Sequence, residues 1–286
     1  MSAISAAPGR ALRSASGLVK RPAGALEDLG GQLSFYGRSL GWTFRTLRRY
    51  KKEVIRLLAE VTLGSGGLAL IAGTVGVISF LCFFTGTEVG LQGYIALDQL
   101  GTAAFTGFIS AYFNTREIAP LIAGLALAAT VGCGFTAQLG AMRVSEEVDA
   151  LEVMGVPSVP YLVTTRIIAA LVAVIPLYFL GLLMSYLATR TIVTLQFKLS
   201  PGTYDHYFRL FLPPTDIFWS LFKVIIFAIV IVLIHCYYGY FATGGPAGVG
   251  TAVGKAIRTS LVTVSLVDFF LSLAIWGATS SVRIAG

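Results

Sequence analysis

The run I-F-W-S-L-F-K-V-I-I-F-A-I-V-I-V-L-I-H-C-Y-Y-G, Ile217 to Gly239, decides the class of this chain. It contains one full charge, Lys223, and it exceeds the roughly 20 residues that cross a ~30 Å hydrocarbon layer as a helix. Lipid offers the backbone no hydrogen-bond partners, so such a run satisfies its own amides as a helix. Four further apolar stretches, about 61–85, 117–140, 161–189 and 260–281, read the same way. A sixth, about 99–113, is short and holds Gly101, Thr102, Thr106, Gly107 and Ser110, so it is expected to be a re-entrant or packed piece. The whole chain agrees: of 286 residues 56% are hydrophobic and 12% charged, against about a quarter charged in soluble domains, and the mean hydropathy is +0.80. The fold class expected is an all-α integral membrane protein with about five transmembrane helices.

The net charge of +7 is not spread over the molecule. Eleven of the 21 Lys and Arg and four of the 14 acids lie in residues 1–60, so the remainder is neutral. A basic segment before the first span is what the positive-inside rule and anionic lipid favour on the cytoplasmic side, and it gives no ground for nucleic-acid binding. Residues 1–25, rich in Ala, Ser, Gly and Arg, read as a flexible cytoplasmic tail. Residues 26–57 read as an interfacial amphipathic helix, with Leu26, Leu29, Leu33, Tyr36, Leu40, Phe44 and Leu47 on one side and Arg38, Arg45, Arg48, Arg49, Lys51 and Lys52 on others. A helix packed on the protein's own cytoplasmic face fits that pattern too. Residues 58–286 form the membrane domain. No continuous apolar h-region precedes it, so entry through the first span is expected. Five crossings place the N-terminus in the cytoplasm and the C-terminus outside, with 141–160 and 240–259 as inner loops.

The first inner loop is acidic. Its run R-V-S-E-E-V-D-A-L-E-V-M-G, Arg143 to Gly155, is expected to start a helix at Ser145 and to stop it at Gly155 and Pro157. Val144, Val148 and Leu151 fall on one face, Glu146, Asp149 and Glu152 on another, beside Glu147. A short two-faced helix suits a groove on a soluble partner, apolar residues inside and acids at the rim. A solvated loop helix without a partner matches the same pattern.

Three motifs carry a resemblance: G-L-Q-G-Y (Gly90 to Tyr94), R-E-I-A-P (Arg116 to Pro120) and G-F-T-A-Q-L-G-A-M-R-V-S-E-E-V-D-A-L-E-V-M-G-V (Gly134 to Val156). With Y-G-Y (Tyr238 to Tyr240) and L-V-D-F-F (Leu266 to Phe270), the chain from about 40 to 281 resembles the MlaE/YrbE permease family of ABC transporters. The V-G-C-G run (Val131 to Gly134) and the C-terminal extension are most similar to the B-type YrbE permease of an actinobacterial Mce lipid-import system. The resemblance implies a non-catalytic permease in the cell (inner or plasma) membrane, paired as a heterodimer with a second YrbE-type permease. It also implies a cytoplasmic ABC ATPase dimer that uses the ATP, an extracytoplasmic Mce assembly and a lipid, fatty acid or sterol as substrate. Arg143, Glu146, Glu147, Val148, Asp149, Leu151 and Glu152 would then form the coupling helix.

No cofactor is expected on the chain itself. Gly250 to Arg258, G-T-A-V-G-K-A-I-R, misses the phosphate-binding pattern at Val249 and Ala256. His206 and His235 lack a second histidine at metal-ligand spacing and read as interfacial side chains. Cys82, Cys133 and Cys236 sit in apolar runs and read as small core residues. Ala69/Gly73, Ala72/Gly76 and Gly124, Ala128, Gly132 are small residues four apart that let helices approach, either within the chain or between permeases. Pro176 is expected to kink the third span. Lys223 and Asp268 are the intramembrane polar residues. On the expected spans they differ in depth by roughly 10 Å, which argues against a direct pair. A rival reading is a membrane scaffold that recruits a cytoplasmic partner to extracytoplasmic Mce proteins without transport; an embedded acyltransferase lacks paired Ser/His or His/Asp residues.

Overall fold

A computed structural model describes residues 30–63 and 73–277. The tail, Leu26, Leu29, Ala69, Ala72 and the end of the expected last span lie outside the described residues. Those described are helical with short connections and no strand. We number the helices α1 (residues 30–41), α2 (Thr43–Arg49), α3 (Lys51–Leu63), α4 (Thr74–Asp98), α5 (Ala103–Val144), α6 (Glu147–Val153), α7 (Val159–Gln196), α8 (Pro201–Leu210), α9 (Pro214–Tyr240) and α10 (Gly245–Trp276). Five of them, α4, α5, α7, α9 and α10, are long and apolar enough to cross a membrane. The protein is an all-α, multi-pass membrane protein.

The five spans are not equivalent. About half of the apolar stretch is buried in α5, α7 and α9, against 28% in α4 and 11% in α10. Three helices therefore form the core, and two flank it with apolar faces turned outward, among them Phe80 and Phe84 on α4 and Val262, Phe269 and Phe270 on α10. In water such faces would be costly; against acyl chains they match the solvent.

Two expected boundaries are corrected. Among the described residues the first spanning helix is Thr74–Asp98, which runs past the expected end at 85 and carries Glu88, Gln92 and Asp98, polar residues that hide its second half from an apolar-length reading. The stretch 99–113 is no separate re-entrant piece: from Ala103 it is the first part of the 42-residue α5. Pro120 explains the irregular middle of that rod. It has no N–H to give to the preceding turn, and the backbone there takes wider π-type turns at Ser110–Ile118; a second π-type segment follows at Ala128–Gly132.

Close helix contact comes from small residues, but partly from others than expected. A Cβ at Gly86 would run into the Ser185 carbonyl of α7, one at Gly90 into Ile192, and one at Gly181 would lie 2.9 Å from the Cys82 sulfur. Gly124 and Gly132 pack within the chain against α9, at Phe227 and His235, while Gly73 and Gly76, at the start of α4, are half-buried. Buried hydroxyl and amide groups add cross-helix hydrogen bonds: Asn114 Nδ2 donates to Thr189 Oγ1 at 2.9 Å, and Thr189 Oγ1 donates to the Gly86 carbonyl at 2.6 Å.

His235 is not interfacial, which corrects the expectation. It is fully buried, with Nδ1 2.8 Å from Thr136 Oγ1 of α5 and Nε2 3.2 Å from Ser260 Oγ of α10, and Gly132 leaves the room its ring needs. His206 is exposed on α8. Cys82 and Cys236 are buried and Cys133 is half-buried. Pro176 lies inside a continuous α7.

The expected single helix 26–57 is three pieces, broken at Trp42 and Tyr50. Phe35, Ser39 and Thr46 face the bundle: Phe35 stacks edge-on against Tyr237 and Phe241, and the Ser39 carbonyl accepts from Thr164 Oγ1. Leu33, Leu40, Phe44 and Leu47 point outward. The segment thus packs on the bundle and presents an apolar side at once, and α3 continues along α7.

Candidate functional site

At one end of the bundle the chain leaves α5, turns through Glu146 and enters α6. Glu146 takes a left-handed backbone (φ 59°) that folds the acidic helix back against the bundle. The helix starts at Glu147, two residues after the expected Ser145, whose Oγ instead bonds the Ala141 carbonyl and Glu147 Oε1. Gly155 ends it as expected. Its positive φ of 74° lets Val156 N–H reach the Leu151 carbonyl at 2.9 Å and Gly155 N–H reach that of Glu152 at 3.0 Å, a Schellman stop.

The faces of α6 differ from the sequence expectation. Val148 is fully buried and the half-buried Leu151 packs against the core, so both anchor the helix to its own bundle. Glu146, Glu147, Asp149 and Glu152 are exposed, as are Val153 (89%) and Met154 (68%). Arg143 Nη1 pairs with Asp149 Oδ1 at 2.5 Å. Glu152 Oε1 accepts from Ser158 Oγ at 2.6 Å, and that hydroxyl lies 2.7 Å from the Tyr240 hydroxyl, which ties the helix to α9. The result is a rigidly seated, acid-rimmed surface whose apolar tip is Val153–Met154.

A second constellation lies inside the bundle, toward its other end. Lys223 is fully buried on α9. Its ammonium donates to the Arg116 carbonyl at 2.8 Å, to Ser272 Oγ at 2.7 Å and to Glu117 Oε2 at 3.3 Å, and it sits 2.8 Å from Asp268 Oδ1 as an ion pair. Ser220, one turn earlier, donates to the Thr115 carbonyl at 2.5 Å. Ser220 and Lys223 of α9 thus reach two successive α5 carbonyls, Thr115 and Arg116, a turn before Pro120. Beside this, Arg116 binds Asp216 through Nε and Nη2, both 2.7 Å from Oδ2, and Trp276 Nε1 donates to Asp216 Oδ1 at 3.2 Å. The arginine also lies 4.1 Å from the Tyr112 ring centroid.

The Lys223–Asp268 contact overturns the expected separation in depth. Helix α10 ends at Trp276 and α9 begins at Pro214, so in these antiparallel neighbours Asp268 and Lys223 lie about 12 and about 13.5 Å from the same end. Arg116, Glu117, Asp216, Ser272 and Trp276 were not singled out by sequence reasoning as members of one group. The R-E-I-A-P motif named two of them without a role.

Gly250 to Arg258 lies wholly inside α10, so it offers no loop to wrap a phosphate. No group of three or more His, Cys, Asp or Glu residues among those described is placed to hold a metal.

Residues 67–274 match the family model described as Permease MlaE. A probable ABC transporter permease protein of Rickettsia bellii is 29% identical over 196 residues, 68% of this chain and 76% of its own length. One of Synechocystis sp. is 31% identical over 196 residues, 68% of this chain and 74% of its own. The chloroplastic protein Trigalactosyldiacylglycerol 1 of Arabidopsis thaliana is 31% identical over 200 residues, 67% of this chain and 56% of its own.

Proposed function

The chain belongs to the MlaE permease family of ABC transporters, and from that premise we propose that it is the membrane half of an ATP-driven lipid importer of Mce type. The observation that carries the reading is the seating of α6: acids and the Val153–Met154 tip face away from the bundle while Val148 and Leu151 lock the helix to it. A helix held this way passes a push from a soluble partner to α5 and α7, between which it is spliced. The partner is a cytoplasmic ABC ATPase dimer, which supplies all nucleotide chemistry, so this subunit is no enzyme by itself. Apolar lipid-facing spans suit a cargo of acyl chains or rings, and the Arabidopsis relative bears the name of a glycerolipid. A second YrbE-type permease completes a heterodimer, and Mce proteins stand on the far side. The N-terminus is cytoplasmic, and residues 30–49 lie at the membrane interface with Leu33, Leu40, Phe44 and Leu47 toward lipid. The C-terminus is extracytoplasmic.

Charge reversal on the open face tests the coupling role. Glu147→Lys with Asp149→Lys, assembled with the ATPase and the partner permease in vesicles, is expected to separate ATP hydrolysis from lipid uptake or to release the ATPase. Normal uptake with normal ATPase association would sink the proposal. Cysteine labelling at Ser145 and Pro201 checks the orientation: the two must react from opposite sides.

A further inference from the structure

At the end of the bundle opposite α6, a groove of about 380 Å³ opens between α7 and α8. On α7, Leu183, Leu187 and Arg190 follow one another at four- and three-residue steps and share one face. Leu183 and Leu187 are more than half exposed, and α8 supplies the opposite wall with Tyr204 and Phe208. The apolar rail runs about 10 Å along the helix axis from Arg190 to Leu183, toward the middle of the span.

The mouth is basic. Arg190 is occupied, donating from Nε to Asp205 Oδ1 at 2.9 Å and from Nη2 to Oδ2 at 3.0 Å. Arg209, one turn beyond Asp205 on α8, lines the same mouth and is exposed; its charge reaches Asp205, but it makes no hydrogen bond or close ion pair with any described residue. One cation thus remains over an apolar floor that faces the hydrocarbon sideways.

We infer that this groove binds a membrane phospholipid with an anionic headgroup, its phosphate on Arg209 and one acyl chain along Leu187 and Leu183. An arginine offers a phosphate two parallel N–H donors, and the Arg209 donors are not spent on Asp205, which Arg190 already holds. A free anion would use the mouth alone and leave the leucine rail open, whereas a lipid already in the bilayer covers both. The site is lined by α7 and α8 alone, and the inference is independent of which cargo the transporter carries.

The test is native mass spectrometry of the full-length chain, released from detergent containing equal amounts of dioleoyl phosphatidylglycerol and dioleoyl phosphatidylcholine. The chain is expected to retain phosphatidylglycerol in excess. Arg209→Gln should lower that preference about fivefold, since one cation at an anionic surface is worth about 1 kcal/mol. Lys198→Gln removes an exposed cation at the same end, outside the groove, and should leave the preference unchanged. Leu187→Gln should lower retention of phosphatidylglycerol while the folded chain persists, because Leu187 is 52% exposed. Equal retention of both lipids by the unaltered chain, an equal loss in Lys198→Gln, or displacement of the lipid by inorganic phosphate would each overturn the inference.

Discussion

The two charged regions of this molecule use similar residues to opposite ends. Around Lys223, five ionisable side chains from α5, α9 and α10 turn inward: Lys223 is fully buried, and Arg116 and Asp216 expose 6% and 9% of their side chains. On α6 the acids turn outward, and the pair Arg143–Asp149 exposes 37% and 58%. Burial sets what each can do. An ion pair in water is worth about 0–1 kcal/mol, so Glu147 and Asp149 are energetically free to meet a partner, while Glu152 ties the helix to α9. A buried charge whose partner is removed costs about 3–5 kcal/mol, so the inner network is committed to holding three spans in register.

The largest effect should come from breaking that commitment. Lys223→Met leaves Asp268 and Glu117 without their cation, and is expected to destabilise the chain by about 3–5 kcal/mol. Thermal unfolding in detergent, followed by tryptophan fluorescence, measures it. Adding Asp268→Asn to Lys223→Met should restore part of the loss, because one uncompensated charge disappears with it. If Lys223→Met melts with the unaltered chain, the network is no anchor and the contrast with α6 collapses.

A second, smaller effect separates charge from shape within the same seam. Gly132→Ala places a Cβ 2.7 Å from the His235 ring, fixed between Thr136 and Ser260. Overpacking of this kind costs about 1–3 kcal/mol, read in the same melt. Gly134, where a Cβ meets nothing within 4 Å, is the matched control and should change little beyond its gain in helix propensity.

On α6 the ordering inverts: stability should barely move while function fails. Glu147→Lys with Asp149→Lys alters exposed groups only and should stay within about 0.5 kcal/mol of the parent. Val148→Ala, at the buried face, should by contrast cost on the order of 1–3 kcal/mol as a cavity under the helix. If the double reversal destabilises more than Val148→Ala, the outward acids are structural and the division between the two regions is drawn wrongly.

Much of the fold was legible in the residues, because apolar length alone demands a spanning helix. Ile217 to Gly239 falls inside α9, and Gly155 stops α6 where its conformational freedom allows. Legibility failed where a helix continues through polar residues or where partners come from distant spans. Glu88, Gln92 and Asp98 disguised the second half of α4. Thr102 to Ser110 looked too polar to be α5, yet Thr106 and Ser110 are fully buried. Lys223 met Asp268 only once α10 was found to end at Trp276, and Val148 read as a docking residue because periodicity gives a face but not its direction. The acids of α6 were found at once, since an acidic stretch between apolar spans needs no tertiary knowledge to stand out.

The smallest effect probes a pair that belongs to neither extreme. Arg190 and Asp205 expose 45% and 37% of their side chains, like the α6 pair, yet they join two helices, like the inner network. The two hydrogen bonds from the Arg190 guanidinium hold the Asp205 carboxyl below the usual carboxylate range. A depressed folded value means that the pair's stabilisation is fully present above the unfolded-state value near ~4 and is lost as pH falls through the folded one. The gap in melting temperature between the parent and Asp205→Asn should therefore be constant from neutral pH down to about pH 5 and close below about pH 4. It should also shrink with added salt, because both groups meet solvent. A gap that persists in acid would mean that Asp205 acts through packing between α7 and α8 and not through its charge, which would move this pair to the side of the buried network.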